Sequence, residues 1–227
     1  CYTEKPGDLN DLNLHKLQLK LANALSKCGK PIILVLNIGR PRLISEIEPL
    51  MSAVLNIYLP GNLGGDALVD IVNGKVNPSG KLPYTYPAFP NSLSTYYYKP
   101  SEVQNNSQGA YNYVGELNNL YEFGYGLSYT NFEYKDIAIE NDSINADDSL
   151  NISLTVYNSG DVDGQEVVQV YVSDLFASIS PDNKRLRAFD KVFIKSGESK
   201  KLFFSIPAKD FSFVNLENKY VVESGDF

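Results

Sequence analysis

The 227-residue chain contains no tryptophan, one methionine, one histidine and two cysteines. So little histidine and cysteine leaves almost no material for a transition-metal centre, and Cys1 and Cys28 cannot make a disulfide framework. No metal and no cofactor are expected. No apolar run approaches the roughly 20 residues that cross a bilayer, so no membrane span is expected. Excess positive charge is also missing. Twenty basic residues against 27 acidic ones give a net charge of −7, which disfavours nucleic acid and anionic lipid as partners. The chain opens at Cys1 without a methionine or a signal peptide, so its natural N-terminus is expected to lie elsewhere. A periplasmic or extracellular setting is favoured over the cytoplasm.

What is present is a foldable composition, with 43% hydrophobic and 21% charged residues. Sixteen tyrosines and 11 phenylalanines point to many strands, because aromatic side chains suit a pleated, half-buried surface. Sequons at Asn105, Asn141 and Asn151 arise readily in a chain rich in asparagine and serine, and carry no argument.

The first third alternates helix and strand. Leu14, Leu17, Leu21, Ala24 and Leu25 have helical spacing, and Cys28-Gly29 supplies a stop. Pro31 to Leu36 is an apolar run of the kind found in a parallel strand covered on both faces, and 53–58 resembles a second. Leu43 to Met51 is expected to be helical between them, and Gly64 to Asn73 after them. This order implies a parallel sheet, and two strands imply that earlier ones lie outside the chain.

Residues 77–130 carry five prolines and the Tyr96-Tyr97-Tyr98 cluster, and are expected to wrap against a domain rather than tether two. From Phe132 onward, alternating segments near 134–139, 150–157, 167–172, 188–194, 201–206 and 220–222 are separated by turn signals. This is the pattern of an Ig-like or fibronectin type III-like β-sandwich. Such sandwiches have about seven strands, so the last one is expected to be lacking. The expected fold class is therefore α/β followed by all-β. A partial parallel-sheet α/β sandwich domain with its wrapping linker occupies 1–130, and the β-sandwich occupies 131–227.

Five motifs stand in order: Tyr2-Thr3-Glu4-Lys5-Pro6-Gly7-Asp8, Gly39-Arg40-Pro41, Leu59-Pro60-Gly61, Asn77-Pro78-Ser79-Gly80-Lys81-Leu82-Pro83 and Phe123-Gly124-Tyr125-Gly126-Leu127-Ser128-Tyr129. Together they resemble glycoside hydrolase family 3, the family of β-glucosidases and β-xylosidases. There a (β/α)8 barrel precedes an α/β sandwich and, in many members, a fibronectin type III-like domain. The resemblance implies a retaining mechanism with two carboxyl groups about 5 Å apart. Its nucleophile would be an aspartate on a barrel outside this chain, and its general acid/base would be Glu4. The implied partners are a β-linked oligosaccharide or glucoside substrate and that N-terminal barrel.

From spacing alone, Glu4 is one acidic residue among 27 on a solvated loop. The resemblance singles it out over Glu46, Glu116 and Glu122. Leu63 stands where the family has an acidic residue, and Glu122 where it has a proline, so substrate preference does not carry over. The rival reading is a non-catalytic module whose sandwich binds polysaccharide or a cell-surface partner.

Overall fold

The computed structural model describes residues 11–90, 92, 95–103 and 119–227. Glu4 and Glu116 lie outside the described residues. By contacts the chain divides into two compact units, one formed by 11–76, 85–92 and 119–122, the other by 77–84, 95–103 and 123–227.

The first unit opens with helix α1, Lys16–Ser26. His15 caps it: its Nδ1 accepts the Leu17 N–H (3.3 Å), while its own N–H donates to Gln18 Oε1 (3.0 Å). This reciprocal arrangement satisfies donors that the first helical turn leaves open. Gly29, at φ 65°, takes the chain out of the helix in a conformation that other residues resist. The leucine stripe has the expected spacing, yet Leu17 and Leu21 are 66% and 60% exposed.

Strands β1 (Ile33–Leu36) and β2 (Ala53–Asn56) pair in parallel, Leu34 beside Val54 and Leu36 beside Asn56. The expected helix at Leu43–Met51 is not formed. That stretch makes a turn at 45–47 and a single 3-10 turn, Glu48–Leu50. Pro49 lacks a donor for a continuing α-helix, and Ile44 and Ile47 are instead buried as core residues. Helix α2, Gly64–Val72, follows β2 as expected. Strands β3 (Tyr86–Pro87) and β4 (Asn119–Tyr121) pair antiparallel. They place the buried Tyr86 edge-on to Tyr121 at 6.0 Å. The Tyr86 hydroxyl donates to Arg42 O (2.7 Å) and the Tyr121 hydroxyl to Glu48 Oε1 (2.8 Å), so both rings keep their polar ends satisfied.

The second unit is a β-sandwich. One sheet has the order β5-β6-β9, with β5 Phe132–Ile139, β6 Ser149–Asn158 and β9 Ser199–Pro207. The other pairs β7 (Gly164–Val172) with β8 (Arg185–Ile194). A short pair follows, β10 (Phe213–Val214) with β11 (Tyr220–Val221). Strand alternation decides the core. In β9 Leu202, Phe204 and Ile206 are buried while Lys201, Phe203 and Ser205 face outward. Leu154, Val156, Val168, Val192 and Ile194 complete the inner layer with Leu202 and Phe204.

Asn158, fully buried at the end of β6, ties the sandwich corner. Its Nδ2 donates to Val162 O (2.9 Å) and Ile194 O (3.1 Å). Its Oδ1 accepts from the Thr130 hydroxyl and the Gly160 N–H. The turn signal read at Asn158-Ser159-Gly160 is thus a four-way polar junction, the arrangement a buried amide needs to offset its desolvation.

Candidate functional site

In a parallel sheet, ligand crevices form outside the carboxyl ends of the strands. Two of the five motifs stand there in the first unit. Gly39-Arg40-Pro41 follows β1, Leu59-Pro60-Gly61 follows β2, and the Ile57 N–H still bonds Leu36 O at 3.0 Å. The two loops touch: a Cβ on Gly39 would lie 3.3 Å from Leu59 Cδ1. Tyr58 is held at φ 51°, a costly conformation for a side chain of its size. A Cβ on Gly64 would lie 2.3 Å from Pro60 Cγ, so this glycine lets α2 start directly against the loop. Leu63, at the N-cap of α2, makes no side-chain cap bond.

The chain enters this region at residues 11–13. Leu43 N–H donates to Leu12 O (2.9 Å), Asn13 bridges Leu43 in parallel, and Arg42 Nη1 donates to Asp11 O (3.2 Å). The Asp11 carboxyl accepts from the Asn13 backbone (2.8 Å) and side chain (2.7 Å). Those bonds, opposed slightly by desolvation and aided by Arg42, hold it below the usual carboxylate range.

Of the weaker carboxylate candidates, Glu46 is exposed beside a cavity of about 200 Å³ bounded by Leu19, Leu43 and Phe89. Glu122 is exposed and accepts from Asn119 Nδ2 at 3.0 Å. These two are not brought together at the strand ends. Among the described residues, no group of three or more His, Cys, Asp or Glu side chains could hold a metal ion. No helix among them is long and apolar enough to cross a membrane.

The other two described motifs belong to the second unit and clasp one another. Leu82 N–H donates to Tyr125 O (2.8 Å), Gly124 N–H to Leu82 O (2.7 Å), and Lys81 Nζ to Gly126 O (2.8 Å). The glycines are required by this approach. A Cβ on Gly126 would lie 2.2 Å from Gly80 O, and one on Gly124, at φ +80°, would lie 2.2 Å from Gln169 Oε1. Asn77 extends the clasp, accepting from the Ser128 hydroxyl (3.0 Å) and Tyr129 N–H (2.8 Å) and donating to Asp163 O (3.0 Å). Sequence reading marked Asn77 as a motif member and Asn158 as a turn residue, but not the bonds by which they and the buried Glu166 anchor these motifs. An asparagine beside proline or before Ser-Gly looks like an ordinary turn residue.

Tyr96 and Tyr97 are structural here. Tyr96 stacks on Phe123 at 4.2 Å and meets Tyr171 edge-on at 6.0 Å, and Arg185 lies 4.0 Å over the Tyr97 ring. Their rings therefore wrap onto the sandwich.

The described residues thus combine a parallel α/β unit, with motifs at its strand ends, and a β-sandwich unit. Residues 2–129 match the glycosyl hydrolase family 3 C-terminal domain, and 166–227 match a fibronectin type III-like domain. The chain belongs to glycoside hydrolase family 3.

Among its relatives are a lysosomal beta glucosidase of Dictyostelium discoideum, 37% identical over 99% of this chain and 27% of its own, and a beta-xylosidase of Formosa agariphila, 36% identical over 97% and 30%. The fold matches a beta-glucosidase from Listeria innocua solved with isofagomine, with a TM-score of 0.88 and 33% identity over 96% of this chain and 31% of that one. A mutant of that enzyme was solved with laminaribiose. The chain thus spans less than a third of the length of these relatives.

Proposed function

We propose that this chain is the C-terminal part of a retaining β-glycosidase, a β-glucosidase that hydrolyses terminal non-reducing β-linked sugars. Residues 1–130 form its α/β portion with the linker, and 131–227 its fibronectin-like portion. Glu4 is the general acid/base. It protonates the leaving glycosidic oxygen, then deprotonates the water that releases the sugar from the nucleophile. The nucleophile is an aspartate on a (β/α)8 barrel outside this chain. This role requires Glu4 to be protonated for the first step.

The observation that carries this reading is the family match, which begins at residue 2 and so includes Tyr2-Thr3-Glu4. It is supported by the pinning of residues 11–13 against Arg42 and Leu43, beside the loop after β1. Six residues separate Glu4 from Asp11, and the seven residue steps between them reach at most about 25 Å when extended.

Because both carboxyl groups are needed, the 227-residue chain alone is inactive. The test is hydrolysis of aryl β-glucosides and laminaribiose by this chain alone and by a polypeptide joining it to a barrel. Turnover by the joined form only supports the proposal. Turnover by the chain alone refutes the two-carboxylate division.

A further inference from the structure

Strand β7 pairs with β8 along one edge, and among the described residues no strand bonds its other edge. The sandwich is uneven as a result, with three strands in one sheet and two in the other. An open edge presents a row of N–H and C=O groups that folded proteins pair, cover or blunt. At the start of β8 its outer side is covered in part: Leu186 N–H donates to the Tyr96 hydroxyl (3.4 Å), and Asn183 N–H to Tyr98 O (2.8 Å). Among the described residues, no backbone bond of that kind reaches β7. The inner faces show the same gap. Ile139 of β5 lies opposite Ile152, which packs on the core, so it belongs to the inner layer. It is nonetheless 53% exposed. The Tyr134 hydroxyl bonds Glu166 Oε1 (2.8 Å), so β5 faces β7, and a strand added beyond β7 would cover Ile139.

The segment just past β7 chooses the occupant. Leu175 N–H donates to Asp226 O (3.0 Å), a Cβ on Gly225 would lie 3.5 Å from Phe176 O, and Ser178 N–H donates to Glu223 Oε2 (2.8 Å). One segment counts up as the other counts down. Residues 223–226 therefore run antiparallel to the continuation of β7 and head toward its open edge. Carried onward, this register sets position 229 opposite Val172, 231 opposite Val170 and 233 opposite Val168. Residues directly opposite share a face, and Val168 and Val170 belong to the core, so the odd positions point inward. Phe227 already follows that parity, its ring 5.4 Å from the buried Phe211.

We propose that the open edge of β7 is a strand-addition site for polypeptide continuing from Phe227, laid antiparallel to β7 with apolar side chains at odd positions. Main-chain bonds to β7 hold the added strand, and its inward side chains close the core over Ile139. A second copy of the chain, or an unrelated peptide, would have to enter past residues 223–226, which already lie on that line. The inference rests on the chain belonging to a longer polypeptide, as it spans less than a third of its relatives, and not on the role of Glu4.

The test appends nine residues, the length of β7, to the 227-residue chain in two forms. One has valine at odd positions and threonine at even ones, and the other has the reverse. Amide hydrogen exchange is followed by NMR in both forms and in the unextended chain. The first form should slow exchange of the alternate β7 amides that do not bond β8 by at least about tenfold, and should raise the urea midpoint. The reversed form should do neither, because a one-residue shift turns every apolar side chain to solvent. Amides of β6, already bonded on both sides, should change less than those of β7. Equal protection by the two forms overturns the proposal, as does protection by neither in the folded chain. A concentration-dependent dimer of the unextended chain that protects the same β7 amides also overturns it, in favour of a second copy. The readout involves no sugar and no turnover, so its failure leaves the acid/base assignment untouched.

Discussion

Lys81 and Glu166 form a nearly buried ion pair, Nζ to Oε2 3.2 Å, with side chains only 17% and 11% exposed, and the Tyr134 hydroxyl donates to the other carboxylate oxygen at 2.8 Å. Lys81 comes from one of the motifs that carry the family resemblance, and Glu166 from β7. The lysine therefore fixes its motif to the sandwich. Removing one partner of such a pair leaves a buried charge and typically costs about 3–5 kcal/mol. Lys81→Ala should lower the unfolding free energy of the sandwich, read by denaturant titration, by an amount near the lower end of that range, because some solvent remains. Replacing both partners with apolar residues should cost less than replacing Lys81 alone.

The same triad sets an alkaline limit. Burial, the hydrogen bond to Glu166 and its charge push the Tyr134 hydroxyl well above the ordinary tyrosine range. The folded chain therefore holds this proton where the unfolded chain, with a pKa of about 10, has lost it. That contribution is complete below pH 10 and declines as pH rises above it. Tyr134→Phe should flatten the fall in unfolding free energy between about pH 10 and 12, measured by urea titration at each pH.

An acid limit arises elsewhere. Burial acts to raise the Asp182 carboxyl, but hydrogen bonds and charge from Lys99 and Arg185 outweigh it and hold the group below the usual carboxylate range. Its stabilisation is present above the unfolded pKa of about 3.9 and is lost as pH falls through the lower folded value. Asp182→Asn should reduce stability at pH 7 and make the acid-unfolding curve shallower below pH 4, read by circular dichroism.

The glycine clasp makes a paired prediction. Gly126→Ala places a methyl 2.2 Å from the backbone carbonyl of Gly80, which cannot yield as a flexible side chain would. A destabilisation of roughly 2 kcal/mol or more is expected. Gly80→Ala meets nothing within 4 Å and should change stability by less than about 0.5 kcal/mol. Thermal denaturation of the two variants separates contact-driven glycine from incidental glycine.

The sandwich was largely legible in the sequence, because alternation at Leu202, Phe204 and Ile206 reports directly which side of a strand is buried. The two parallel strands were legible for a similar reason, as short apolar runs. Leu43 to Met51 misled, since its apolar spacing suits a helix while Pro49 and the burial of Ile44 and Ile47 allow only one 3-10 turn. The α1 stripe shows a different gap: helical periodicity states which face can be buried, and Leu17 and Leu21 are exposed all the same. Contacts between distant motifs were invisible. Nothing in the local pattern indicates that Gly126 lies against Gly80, or that Asn158 bonds both Val162 O and Ile194 O.

The central claim is that Glu4 is the general acid/base, and leaving-group dependence addresses it most directly. Glu4→Ala is placed in a polypeptide that joins this chain to a (β/α)8 barrel, and kcat/KM is measured on aryl β-glucosides with good and poor leaving groups. A positioned acid contributes roughly 100 to 10,000-fold when the leaving oxygen needs a proton. The account predicts losses in that range for poor leaving groups, much smaller losses for nitrophenolates, and disappearance of the alkaline limb of the pH profile. Equal losses across the series, with an unchanged pH profile, would contradict it.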